Sequence, residues 1–389
     1  MITLLKNTVF FVLAVFSTSL FAQVKPGILQ IEKYVPLLTS KNVAVVGNHS
    51  SQFETPTGRI HLVDSLLRHE IRIVNVFAPE HGFRGKEDAG ATIEDEVDVK
   101  TGIPIVSLHG KNRKPTQEQL KYIDVVVFDI QDVGVRFFTY LSTLHLVLEA
   151  CADSEVPVVV LDRPNPNAHY IDGPVMREEN QSFLGKVPVP LVYGMTIGEY
   201  AKMLIGERWL STKNQVDLIV IPIENYTHQT PYQLPIRPSP NLPNSQAIAL
   251  YPSLGLFEGT TVNAGRGTNK PFQQFGASFL HPEIFTHTYS PKSVSGASNP
   301  KEEGKVCYGV DLSSHPKMDN INLEWLVDAY NHAQNKDSFF LDPGFRRHAG
   351  TSTLQHQIEK GMTAIEIRET WKPGIAAFVK IRTNYLIYP

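Results

Sequence analysis

One stretch carries the clearest chemistry: Ile73-Val74-Asn75-Val76-Phe77-Ala78-Pro79-Glu80-His81-Gly82-Phe83-Arg84-Gly85. It opens as an apolar, β-branched run, the pattern of a strand buried on both faces of a parallel sheet. It ends abruptly in proline, an acid, an imidazole, glycine and a guanidinium. A carboxylate at the end of a buried strand is costly unless it is partnered or used. Open α/β sheets bind their ligands along that same edge. Glu80 is therefore the first candidate for acid/base work, with His81 beside it to orient it or to bond a substrate.

Other apolar runs end in the same manner. Asn42 to Gly47 leads into Asn48-His49, Ile103 to Leu108 into His109, Asp124 to Ile130 into Asp129 through Asp132, and Val156 to Leu161 into Asp162-Arg163. Helical segments separate them: one around Ile60 to Arg68, one starting at Thr116 with capping-box spacing to Gln119, one over Leu141 to Ala152, and one from Thr196 with Glu199 to Trp209. Asp217 to Ile223 is a sixth strand. Strands and helices alternating at this interval predict βαβ units, a parallel sheet and right-handed crossovers. Their carboxyl ends share one edge, so Asn48, Glu80, Asp129, Asp132, Asp162 and Arg163 converge there. Plainer roles exist for each: turn chemistry for the Asp162-to-Asn167 stretch, a helix cap or an ion pair with Arg136 for Asp129, and satisfied structural histidines at His49 and His109.

Met1 to Ala22 reads as a leader, with Lys6 before an apolar run from Thr8 to Leu20 and a small residue ahead of Gln23. The run is short for a membrane span. It implies an exported protein, periplasmic or secreted, with no span in the mature chain. A net charge of −3 offers no electrostatic footprint for nucleic acid. Cys151 and Cys307 make no disulfide framework. The expected organisation is a leader over 1–22, an α/β domain over 23–228, a proline-rich junction over 229–245 and a smaller α+β domain over 246–389. Five prolines in the junction forbid helix, and Arg237, Ser239 and Asn241 can line a cleft there. Beyond it, Asn263 to Phe272 is a glycine-punctuated loop bearing Arg266 and Lys270, suited to close approach of a ligand. Leu323 to Ala333 reads as a helix and Phe378 to Tyr388 as a closing strand.

Several chemistries lack their motif. The turn after the first strand is Gly47-Asn48-His49-Ser50, not the dinucleotide-binding glycine pattern, and there is no Walker loop, no H-E-x-x-H and no G-x-S-x-G elbow. No cofactor and no metal is expected. Two alternatives stay open: a metal-assisted hydrolase using Glu80, His81, Asp129 and Asp132 as ligands, and a non-catalytic binding protein.

Long motifs in order then point to a family. Phe77 to Gly85, Asp124 to Arg136, Leu161-Asp162-Arg163-Pro164-Asn165-Pro166, Pro238-Ser239-Pro240-Asn241-Leu242-Pro243, and Glu258-Gly259-Thr260 with Gly265-Arg266-Gly267-Thr268 resemble the NamZ family of exo-β-N-acetylmuramidases. The resemblance runs from the first strand to Tyr388. It implies a Rossmann-like, mostly parallel sheet domain followed by a smaller α+β domain, with the active site between them. It implies release of terminal N-acetylmuramic acid from the non-reducing ends of peptidoglycan fragments, and it carries the family carboxylate onto Glu80. The second acid is sought at Asp129 or Asp132, or replaced by the substrate's own acetamido group. The lactyl carboxylate of the sugar calls for a cation, from Arg84, Arg136, Arg163 or Arg266. Tyr140 and Tyr193 are candidates to stack on the sugar, and Asn48, Asp162, Asn241 and Thr268 complete the expected binding set. One departure is visible: a glutamate is expected before Gly265, and the chain has Ala264.

Overall fold

A computed structural model describes residues 23–80, 82–84 and 95–389. The leader Met1–Ala22, the candidate His81 and residues 85–94 lie outside the described residues. The first domain runs α1 (Ile31–Leu38), β1 (Asn42–Gly47), the hairpin β2 (Gln52–Thr55) and β3 (Gly58–His61), α2 (Leu62–Arg68), β4 (Arg72–Ala78), β5 (Glu96–Val97), β6 (Pro104–Ser107), α3 (Gln117–Leu120), β7 (Val125–Asp129), α4 (Tyr140–Asp153), β8 (Val158–Leu161), α5 (Ile197–Gly206) and β9 (Leu218–Ile221). Both capping boxes read from the sequence form, at Thr116/Gln119 and Thr196/Glu199. The helix expected from Ile60 starts later, because Ile60 pairs with Phe53 in the hairpin.

The seven-stranded sheet has the order β5-β6-β4-β1-β7-β8-β9, antiparallel only at the β5 edge. Its six parallel strands follow the Rossmann order, third-second-first-fourth-fifth-sixth, with the switch point between β1 and β7. Alternate residues of β1 serve two cores. Ala44 and Val46 pack with Leu141 and Leu144 of α4, while Val43 and Val45 pack with Leu62 and Leu66 of α2. Each fully buried valine or leucine among them is worth roughly 1.5–3 kcal/mol. This two-sided burial selects unbroken valine-rich strands and leaves polar residues only at their ends.

The second domain contains α6 (Ser245–Leu254), β10 (Gln274–Ala277), β11 (His287–Tyr289), β12 (Cys307–Asp311), α7 (Glu324–Asn331), α8 (Gly344–Ala349), α9 (Thr353–Glu359) and α10 (Ala364–Thr383). Its sheet is antiparallel, in the order β10-β12-β11. Asn244 caps α6 where the proline-rich stretch ends, its Oδ1 accepting from Ala247 N at 2.9 Å. The closing strand expected over Phe378 to Tyr388 is instead the end of α10 and a short tail. A capping box at Thr363/Glu366 starts that helix, and Ile367, Trp371 and Phe378 bury one face of it at helical spacing. The tail returns to the first domain, where Tyr388 OH donates to Asp162 Oδ2 at 2.6 Å. Among the described residues no helix is long and apolar enough to cross a membrane.

Candidate active site

Glu80 leaves the sheet two residues after β4 ends. The chain turns there, with Gly82 N donating to Pro79 O at 3.1 Å. The Glu80 carboxylate accepts from Thr139 Oγ1 at 3.0 Å, and the Glu80 carbonyl accepts from Tyr140 OH at 3.4 Å. Thr139 is the N-cap of α4, so the partial positive end of that helix faces the carboxylate. Glu80 lines a cleft of about 180 Å³. One wall is aromatic: Tyr251 packs edge-on against Phe137 and Phe272, with ring centroids at 5.1 and 4.8 Å, and Phe138 packs edge-on against Tyr140 at 4.8 Å.

The second domain, which supplies Tyr251 and Phe272 to that wall, also brings a second acid to the cleft. A 3-10 turn over Gly255–Gly259 follows α6 directly and delivers Glu258. Arg266 Nη1 donates to Glu258 Oε2 at 2.9 Å. Burial alone disfavours the Glu258 charge, but Arg266 and Lys301 outweigh it and hold the carboxyl below its usual range. Lys301 Nζ supports the turn by donating to the carbonyls of Phe257 and Glu258 at 2.8 and 2.9 Å. Tyr251 lines the cleft with both acids and feels the charge of each. Burial and then the negative charges of Glu258 and Glu80 keep its phenol protonated. His348 also lines the cleft. Its Nδ1 meets the Gly344 carbonyl at 2.9 Å, which can only accept, so Nε2 is the acceptor nitrogen of the neutral ring. Burial favours that neutral form.

The expected site residues fall into two groups. Glu80, Tyr140, Asn241 and Arg266 line the cleft. Asn241 is fixed there by Nδ2 donating to Gly296 O at 2.7 Å. The others hold the framework. Asp129 is wholly buried and takes both Arg163 Nε and Nη2, at 2.5 and 2.9 Å. Asp132 accepts from Gly134 N at 2.6 Å and from the Tyr193 hydroxyl, and burial pushes its carboxyl up to about 6. Gly134 sits at φ +77°, where an added Cβ would meet Asn165 Oδ1 at 2.2 Å, so only glycine fits this turn. Asp162 binds Thr196 Oγ1, Gly198 N and Tyr388 OH. Asn48 Oδ1 accepts from Ser50 N and Oγ, and Ser51 Oγ donates to Asp129 O, lacing the ends of β1 and β7 together at the switch point.

Arg136 spends its guanidinium on four carbonyls: Pro174 and Val189 at 2.8 Å each, Ala349 at 2.7 Å and His348 at 3.2 Å. Burial pulls its pKa down to about 9. Arg84 lies against Asp98, with Nη2 at 2.6 Å, and lines a different pocket. Thr268 braces its own loop, Oγ1 donating to Gly265 O at 2.7 Å. The residues not anticipated are Glu258 as an acid of the cleft, Tyr251 and His348. Glu258 stands in a motif already singled out, and its pairing with Arg266 eight residues on was the available signal.

Among the described residues no group of three His, Cys, Asp or Glu side chains is placed to hold a metal ion. Two carboxylates from different domains, facing one aromatic-walled cleft, are the equipment of a glycoside hydrolase.

Comparison with known proteins agrees. The family model for the N-terminal part of the exo-β-N-acetylmuramidase NamZ matches residues 43–246, and that for its C-terminal part matches residues 249–388. The peptidoglycan β-N-acetylmuramidase NamZ of Bacillus subtilis strain 168 is 35% identical over 374 residues, covering 91% of this chain and 89% of that one. Two crystal structures of DUF1343 family proteins from Bacteroides fragilis NCTC 9343 superpose closely. One is 42% identical with a TM-score of 0.86, the other 27% identical with 0.78, and each comparison covers 94% of this chain and 99% of the other. The chain belongs to the NamZ family of exo-β-N-acetylmuramidases, and it is a glycosidase.

Proposed function

We propose that the enzyme releases terminal N-acetylmuramic acid from the non-reducing ends of peptidoglycan fragments, with Glu80 as general acid/base and Glu258 as the second carboxylate. The observation that carries this reading is the cleft shared by Glu80 and Glu258 across the domain joint. Glu258 is kept ionised by its cations, so the proton donor's role falls to Glu80. Glu80 gives its proton to the glycosidic oxygen as the C1–O bond breaks, and Glu258 stabilises the positive charge developing at C1 or attacks it. Water completes the hydrolysis and returns a proton to Glu80. The rings of Tyr140 and Tyr251 offer apolar faces to the sugar, Nε2 of His348 accepts from a sugar hydroxyl, and Arg266 meets the lactyl carboxylate. The leader-like Met1–Ala22 supports export to the compartment that holds the wall.

The test is release of chromophore from a β-N-acetylmuramide beside the matching N-acetylglucosaminide. Turnover of the muramide at a rate at least about tenfold higher is expected from a charge-assisted contact to the lactyl group. Equal rates, or no turnover of either, would refute the reading.

A further inference from the structure

Behind the catalytic cleft lies a second chamber, of about 230 Å³. The Glu258–Arg266 ion pair is the partition, since both side chains line both cavities. The far side is walled by Asn263, Ala264, Ser298, Asn299 and Lys301. Ser298 and Asn299 are exposed, so this chamber opens to solvent at its outer end. Ala264 forms part of its inner wall, at the position where the family resemblance leads one to expect a glutamate. A methyl group there leaves open the volume that a longer acid would occupy.

We propose that this chamber is a channel for the 3-O-lactyl arm, and that the enzyme accepts muramyl residues whose lactyl carboxyl is amide-linked to a peptide. The inference rests on the muramidase reading given above. A bare carboxylate needs only Arg266 at the partition, yet the cavity behind it continues past that contact to the exposed Ser298 and Asn299. Its lining suits an amide-linked residue. Arg266 and Lys301 together outweigh Glu258 by one positive charge, which matches one terminal carboxylate. Asn263, Ser298 and Asn299 supply neutral polar groups for peptide N–H and C=O. The open outer end lets a longer peptide run into water, so the length of the arm is not limited by the cavity.

The test is calorimetric binding to the full chain carrying Glu80→Gln, which keeps the probes intact. The probes are the methyl β-glycoside of N-acetylmuramic acid and the same glycoside with L-alanine amide-linked to its lactyl group. Both should bind, with Kd values within about tenfold of each other. Adding Ser298→Trp, which plugs the outer end, should weaken the alanyl probe at least about tenfold more than the plain one. Adding Ala264→Glu should do the same from the inner wall. Binding of the plain probe alone would overturn the inference. So would binding of the alanyl probe that both substitutions leave untouched, or binding of neither probe. Turnover of the chromogenic muramide by the unaltered enzyme reports separately on the muramidase reading.

Discussion

Charge is gathered in two places near the carboxyl ends of the strands, and the two are built in opposite ways. Around β7 and β8, Asp129 closes on Arg163 with both oxygens and Asp162 is surrounded by four donors. These groups are wholly or nearly wholly buried. Across the domain joint, Glu258 and Arg266 form a pair whose side chains keep 21% and 25% of their exposure, and Glu80 opens onto the same cleft. A closed pair turns its charges on each other inside the protein, out of reach of a substrate. An open pair keeps unspent valence toward the cavity. Residue type and strand-end position do not distinguish the two. What distinguishes them is whether packing seals the charged groups inside the protein or leaves them facing the cleft.

The sharpest way to break this contrast is Glu80→Gln, which should lower turnover of the muramide about 10²–10⁴-fold while the thermal midpoint changes little. Loss of the fold in this variant would move Glu80 into the structural group. The mirror experiment is Arg163→Met, which strands a buried carboxylate. Denaturant unfolding should show a loss of about 3–5 kcal/mol; an unchanged midpoint would mean that Asp129 is not held as described. Glu258→Gln should reduce turnover by about 10²-fold, measured on a substrate with a poor leaving group so that protonation by Glu80 remains required. Arg266→Ala should collapse the preference for muramide over glucosaminide by about tenfold, read as a ratio of kcat/KM values.

The smallest effect belongs to a region outside both clusters. Arg84 beside Asp98 holds that carboxyl down to about 2. Its folded pKa lies below the unfolded one, so the unfolded chain binds the extra proton first. The resulting stability is present above pH 4 and is lost as the pH falls through about 2. Screening at this half-open site leaves about 1 kcal/mol of it. Arg84→Ala should remove that increment at neutral pH, and the difference between the two proteins should vanish in acid melts.

The first domain was legible because one physical rule governs it. Strands covered on both faces must be apolar throughout, so Val43 to Val46, Val125 to Phe128 and Val158 to Leu161 announce themselves, and so does the polar residue that ends each. The same rule could not rank Glu80 above Asp129, since both are acids at strand ends. Their ranking depends on Arg163 reaching across from the next strand, a contact 34 positions away in sequence. The cleft's second wall left a weaker trace. Tyr251, Glu258 and His348 come from α6, the turn after it and α8, and only packing of the second domain brings them opposite Glu80. The α10 segment misled for a simpler reason. Its buried face is sparse, and a short window at its end alternates by chance.

Arg136 gives the two-wall arrangement a mechanical consequence. Its guanidinium, rooted in the first domain, grips the last carbonyls of α8 in the second, and Gly350 is bare there because a Cβ would strike that guanidinium at 2.3 Å. The rivet sits beside His348, at the cleft's own margin. With the joint fastened at that point, the spacing between Glu80 and Glu258 is set during folding, like the gap of a fixed caliper. On the proposed reading, the jaws take their measure before any sugar arrives.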